Sequence, residues 1–190
     1  MAALNVPNLL TYGRIAAVPV VVACYTLPGL PSNGSRWLAL VIFIAAAITD
    51  FLDGYLARAW QQQSSLGRML DPIADKLLVA SCLLMLAADE TIRGWTLLAA
   101  VIILCREILV SGLREFLADL RVGIPVTKLA KWKTTGQLVA IGFLIAGEAG
   151  EKVLPQTIQI GITLLWLSAI MTLYTGWDYL RAGMRYMIDE

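Results

Sequence analysis

The chain has 190 residues; 58% are hydrophobic, 15% are charged and the formal net charge is +1. With a mean hydropathy of +0.72, this excludes an ordinary soluble domain, which is about half apolar and a quarter charged, and predicts an all-α integral membrane protein. No histidine is present, which removes the commonest general base and the commonest transition-metal ligand, so any catalysis falls to carboxylates, Lys, Arg, Tyr or hydroxyls.

A membrane helix needs about 20 mostly apolar residues. Six segments qualify in chain order, at roughly 9–30, 36–58, 72–89, 94–117, 130–149 and 156–180. Ahead of the first, "NVPN" (Asn5 to Asn8) reads as a turn or a short interfacial helix. The N-terminal residues lack the basic start and short apolar core of a cleaved signal, so the first span is expected to be kept. "PGLPSNGS" breaks the chain between spans one and two, and "GIP" at Gly123 to Pro125 breaks it between four and five. With no linker, low-complexity run or repeat, one domain over 1–190 is expected. Cys24, Cys82 and Cys105 are scattered through apolar segments with no zinc or redox spacing, and read as packing residues.

Six spans place both termini on one side. Arg14, Arg58, Arg68, Lys76, Arg106, Arg114, Arg121, Lys128, Lys131, Lys133, Arg181 and Arg185 fall on that side, against Arg36, Arg93 and Lys152 on the other. Basic residues favour the cytoplasmic side, so the termini and the joint between spans two and three are expected in the cytoplasm, with the protein in the inner membrane.

That joint, "DFLDGYLARAWQQQSSLGRMLDPIADK", carries four aspartates. Asp50 and Asp53 lie about 60° apart around one helix, and Asp71 and Asp75 about 40° apart around the next. Pro72 is expected as the first helical residue with Asp71 as its cap, or within a slightly longer first turn. Either places a helix N-terminus, which favours anions, near Asp71. Any one of these aspartates reads as an ordinary charge at a membrane boundary. Four at helical spacing on two antiparallel helices point into one shared space. Unpaired, such a cluster repels itself, and each Asp costs about 2.5–3.5 kcal/mol at mid-bilayer. A divalent cation relieves both problems. Oxygen ligands without His suit Mg²⁺ or Mn²⁺, with Ca²⁺ an alternative, and four carboxylates suffice for two ions that clamp a phosphoryl centre. Gly54 and Ala57 leave room for a ligand or for plain helix packing. Arg58 can pair with a phosphate or with the aspartates, Gly67 suits a turn into span three, and Ser64 and Ser65 are loop hydroxyls.

The run Asp50-x2-Asp53-Gly54-x2-Ala57-Arg58-x8-Gly67-x3-Asp71-x3-Asp75 resembles the signature of the CDP-alcohol phosphatidyltransferases, with every fixed position at unaltered spacing. The resemblance implies a six-span fold, a homodimer, two divalent metals at the cytoplasmic boundary, and transfer of a phosphatidyl or similar group from a CDP-linked donor to an alcohol with release of CMP. It implies that Asp50, Asp53 and Asp71 bind one metal and Asp50, Asp71 and Asp75 the other, with Asp75 also the base for the alcohol proton. Gly54, Arg58 and Ser64 would touch the CDP part of the donor. Asn8 and Thr11 in "NVPNLLTYGR" match a shorter N-terminal donor contact. The chemistry agrees, because phosphoryl-type transfer needs positioning and charge neutralisation more than covalent help. The donor's lipid tails are expected in the bilayer beside spans two to four.

Two later stretches bear on the acceptor. "CREILVSGLREF" places Arg106 and Arg114 about 80° apart on one helix, able to face one cavity. "VTKLAKWKTTGQ" places Lys128, Lys131 and Lys133 around Trp132. Beside a catalytic site, Arg106, Arg114, Lys131 and Lys133 suit a phosphate-bearing acceptor. As alternatives, the lysines anchor to anionic lipid, and Arg106 with Glu107, or Arg114 with Glu115, form local pairs. Both stretches resemble the branch that uses sn-glycerol 3-phosphate and CDP-diacylglycerol to make phosphatidylglycerophosphate. An inositol phosphate or serine acceptor is the alternative within the family. A membrane prenyltransferase would carry two separated Asp clusters, and a cation transporter would carry mid-span acids on half-helices. No nucleic-acid partner is expected.

Overall fold

A computed structural model describes residues 6–27, 32–59, 65–119 and 128–188, and within them all regular structure is helical. Six helices follow in order: α1 (Val6–Thr26), α2 (Ser32–Ala59), α3 (Ser65–Ala88), α4 (Thr96–Asp119), α5 (Lys128–Glu151) and α6 (Thr157–Ile188). Each overlaps one of the six apolar segments, and α2, α3 and α6 extend past it by a turn or more. Apolar length proposes the segment, but packing sets how far the helix runs beyond it.

Three boundaries depart from expectation. Val6 to Asn8, expected as a turn or a short interfacial helix, are helical but continuous with α1. Pro7 fits there because the first helical turn needs no N–H from it. Ser32 to Ser35, read as part of a break, begin α2. The third departure touches the aspartates. α3 starts at Ser65, so Pro72 is interior and Asp71 is neither a cap nor near the positive end of the helix dipole. Gly67 is buried within α3, not at a turn. A proline's fixed φ is compatible with a helix, and only one backbone hydrogen bond is forfeited. The expected "GIP" break lies outside the described residues.

Helix α1 packs along both α2 and α3, α5 packs on α6 and α2, and α4 packs on α6; α2 and α3 scarcely touch one another. The core is a continuous apolar cluster that includes Val21, Phe43, Leu78, Leu83, Leu86, Ile103, Ile141, Leu144 and Leu165. Outward faces are also apolar: Val41, Ile48, Leu84, Ile108, Ile170 and Tyr174 are all more than half exposed. An apolar core inside an apolar exterior is the pattern of a protein solvated by lipid. Among the described residues, Asn8–Thr26, Thr96–Ala118 and Thr157–Arg181 are each long and apolar enough to cross a membrane.

Arg36 closes the end of the bundle away from the aspartates. Its Nη2 donates to Asp89 Oδ2 at 2.5 Å and to Thr91 Oγ1 at 2.9 Å, in the turn after α3. Its Nη1 donates to Ile145 O at 3.3 Å, and its guanidinium lies 5.9 Å from the Tyr25 ring centroid. Gly147 kinks α5 here with φ 47°. A Cβ at Gly147 would collide with the Arg36 guanidinium, so glycine serves both the turn and the close approach.

Candidate active site

The site is assembled from α1. Asn8, Thr11 and Arg14 recur every three residues, which puts them on one helical face, and all three are buried. Thr11 Oγ1 donates to Asp71 Oδ1 on α3 at 2.6 Å. One turn later, Arg14 Nη1 lies 2.6 Å from Asp50 Oδ1 on α2. The two carboxylate helices, which hardly meet directly, are thereby joined through α1. Sequence reasoning counted Arg14 only as a basic charge. Its signal was available: an arginine one turn after Thr11, inside an apolar helix, needs an anionic partner.

Asp50, Asp71 and Asp75 share one space electrostatically: the charge of Asp71 acts on Asp50, and that of Asp50 acts on Asp75. Asp53 is on α2, but its side chain lies outside the described residues. So do the environments of Gly54 and Arg58 on α2, the side chain of Lys131 on α5, and the whole of Ser64. Among the described residues no three carboxylates close onto a point as ligands of one metal ion. The donor set nevertheless fits a hard divalent cation in kind. It offers carboxylate oxygens without a competing imidazole, and of the three carboxylates only Asp50 is paired with Arg14 at short range among the described residues.

One cavity opens from Asp75 toward α4 and α5, and a second lies next to it between α3 and α4. The inner one, about 280 Å³, is lined by Asp75, Lys76, Glu107, Thr134 and Gln137 among apolar neighbours. The outer one, about 660 Å³, is lined by Lys76, Arg106, Glu107, Ser111, Arg114 and Glu115 among others. Ile73, Lys76 and Glu107 belong to both, so the two are contiguous. The Lys76 ammonium donates to Pro72 O at 3.0 Å.

The four expected acceptor cations are placed differently from one another. Arg106 and Arg114 do line one cavity. Arg106, however, is committed to α6: Nε donates to Thr172 O and Nη2 to Thr175 Oγ1, both at 3.0 Å. Its Nη1 is 3.5 Å from Glu107 Oε1. Lys133, only 3% exposed, pairs its ammonium with Glu107 and is absent from the walls of both cavities. Arg114 is exposed, with its guanidinium 5.7 Å from the Tyr179 ring centroid. The anion that joins Arg106 and Lys133 is Glu107, which the sequence reading placed only in a local pair with Arg106. Nothing in the sequence joins position 107 to 133, because the pairing spans two helices.

On the other side of the site, an apolar groove of about 610 Å³ runs between α2 and α5. It extends from Leu52, two residues beyond Asp50, to Trp37 and Leu154.

The family model described as CDP-alcohol phosphatidyltransferase matches residues 4–174. Several curated proteins align along nearly the whole chain. One from Cereibacter sphaeroides is 39% identical over 219 aligned positions, covering 98% of both chains. One from Rickettsia bellii is 42% identical, covering 96% of this chain and 97% of its own. One from Haemophilus influenzae is 35% identical, covering 98% and 97%. Each of the three is named CDP-diacylglycerol–glycerol-3-phosphate 3-phosphatidyltransferase.

Proposed function

The chain belongs to the CDP-alcohol phosphatidyltransferase family, and from that membership we propose that it transfers the phosphatidyl group of CDP-diacylglycerol to sn-glycerol 3-phosphate. The observation that carries this is the near-complete alignment with relatives whose printed names state that donor and acceptor. It also decides between glycerol 3-phosphate and the inositol phosphate or serine acceptors that the aspartate motif left open. The products are phosphatidylglycerophosphate and CMP.

The residues divide the work as follows. Asp50, Asp53, Asp71 and Asp75 hold two Mg²⁺ or Mn²⁺ ions. When bound, these ions neutralise the donor's diphosphate and improve CMP as a leaving group. Thr11 and Arg14 fix Asp71 and Asp50; the resemblance assigns Gly54, Arg58 and Ser64 to the cytidine diphosphate, and the shorter N-terminal match adds Asn8 and Thr11 as donor contacts. The groove between α2 and α5 reaches Leu52, at the level of Asp50 but on another face of α2, and is almost wholly apolar, which suits a donor acyl chain. The groove borders span two, one of the spans two to four beside which the tails are expected, and it adds span five to the wall.

The reaction forms a bond from the acceptor hydroxyl oxygen to the phosphatidyl phosphorus and breaks the bond from that phosphorus to CMP. Asp75 takes the hydroxyl proton, which becomes acidic as the new bond forms. The acceptor's phosphate enters by the outer cavity, where Arg114 is the cation least committed to protein partners. Lys131 remains a second candidate on the adjoining helix. The six helices span the inner membrane with both termini cytoplasmic, following the asymmetry of Lys and Arg, and the family resemblance suggests a homodimer.

The deciding experiment measures CMP release by the purified full chain with CDP-diacylglycerol and each acceptor in turn, with Mg²⁺ and with chelator. Release with glycerol 3-phosphate that stops on chelation is expected. Release with serine or inositol phosphate instead would refute the acceptor assignment, and undiminished release in chelator would refute the metal reading.

A further inference from the structure

Gln137 lies one turn beyond Lys133 on α5 and is 3% exposed. It lines the inner cavity together with Asp75, Glu107 and Thr134. Its Oε1 is enclosed and accepts no hydrogen bond among the described residues. Burying an amide oxygen without a donor is unfavourable, and native interiors rarely keep one. Packing does not require an amide there: the cavity wall also includes Val79, Leu104 and Leu138, and a Leu or Met of similar size would fill the place. A polar atom retained in such a position points to a ligand that brings the donor.

The chemistry of the cavity narrows what that ligand is. On the reading proposed above, Asp75 receives the reacting hydroxyl of glycerol 3-phosphate, and the phosphate stays in the outer cavity near Arg114. One O–H donor remains, on the middle carbon between them. Glu107 also borders the passage between the cavities, but its carboxylate is engaged by Lys133 and Arg106. The Gln137 oxygen has no such engagement. Being neutral, it can accept a hydrogen bond without competing with Asp75 for the transferred proton. We propose that Gln137 is a specificity-determining residue: its side-chain oxygen accepts a hydrogen bond from the acceptor's non-reacting hydroxyl and so selects a vicinal diol phosphate over a simple alcohol phosphate.

The test compares glycerol 3-phosphate with 3-hydroxypropyl phosphate, which lacks only the middle hydroxyl. Initial CMP release by the solubilised full chain is measured against each acceptor at saturating CDP-diacylglycerol. Wild type is expected to show a KM about tenfold lower for glycerol 3-phosphate, the worth of roughly one hydrogen bond. In Gln137→Met and Gln137→Leu the two acceptors should converge on one KM. The donor KM should stay unchanged, and the melting temperature should match or exceed wild type, because an unsatisfied buried oxygen is gone. The proposal is overturned if wild type treats the two acceptors alike. It is equally overturned if the variants weaken both acceptors in parallel or shift the donor KM, or if both variants melt earlier or fail to fold, which would mark a structural amide. Failure of the proposed reaction would be seen separately, as wild type releasing no CMP with glycerol 3-phosphate.

Discussion

Arg14 Nη1 on α1 lies 2.6 Å from Asp50 Oδ1 on α2, with the arginine side chain wholly buried and the aspartate side chain 39% exposed. The pair has an asymmetric energy balance. The guanidinium has given up its water, whereas the carboxylate keeps some of its own. Replacing Arg14 therefore removes the counter-charge of a cluster that already holds three carboxylates close to one another.

Arg14→Met should lower the melting temperature, at a cost of about 1–3 kcal/mol, the usual penalty for a polar group left without its partner. A divalent cation can replace the missing positive charge, so added Mg²⁺ should raise the melting temperature of this variant more than that of wild type. Thermal scans with Mg²⁺ and with chelator check both statements. Equal Mg²⁺ shifts in the two proteins would separate Arg14 from the carboxylate cluster.

Asp75→Asn preserves an oxygen but no longer accepts a proton. Turnover should fall by about 10²–10⁴-fold, the contribution of a positioned base, while CDP-diacylglycerol binding is largely retained. Rates from single-turnover assays, set beside donor binding by the same protein, provide the check. Loss of donor binding in step with turnover would make Asp75 chiefly a metal ligand.

Arg114 and Lys133 should part company when each is removed. Arg114→Ala should raise the KM for glycerol 3-phosphate by about 10- to 150-fold, the range of one charge-assisted hydrogen bond, with little effect on the donor KM. Lys133→Met should instead destabilise the fold, because it leaves Glu107 with only the longer contact to Arg106, by about 1–3 kcal/mol. Adding Glu107→Leu to Lys133→Met should recover much of that loss. A double variant no more stable than the single one would show that the two residues act independently.

Cysteines introduced near Ser64 and at Lys128 should react only with reagents on the cytoplasmic side, since both positions adjoin the basic end of the bundle. Impermeant thiol reagents applied to intact cells, and to inverted vesicles as the complementary sample, give the readout. Labelling from outside intact cells would invert the orientation.

Apolar length and charge asymmetry were legible in the sequence because both are additive over neighbouring residues: each of the six helices lies on one of the six apolar segments. The family was legible too, since its signature is local, running from Asp50 to Asp75 on two consecutive helices. Helix ends were less so. Reading Pro72 as a start gave weight to local backbone preference, yet α3 runs back to Ser65, held by packing that no single residue announces.

Pairings between distant helices were set by the tertiary structure alone. Thr11 reaches Asp71 across 60 residues and Lys133 reaches Glu107 across 26. Those partners decide what each charge does. Arg14 became part of the site because Asp50 faces it, whereas Lys133 and Arg106, plausible phosphate ligands by charge alone, are held by Glu107, Thr172 and Thr175. The cost of burying a charge is met only by a partner at hydrogen-bond distance, and distance belongs to the fold. Composition and spacing thus determined which chemistry this chain carries, and helix packing decided which of its charged side chains remain available to perform it.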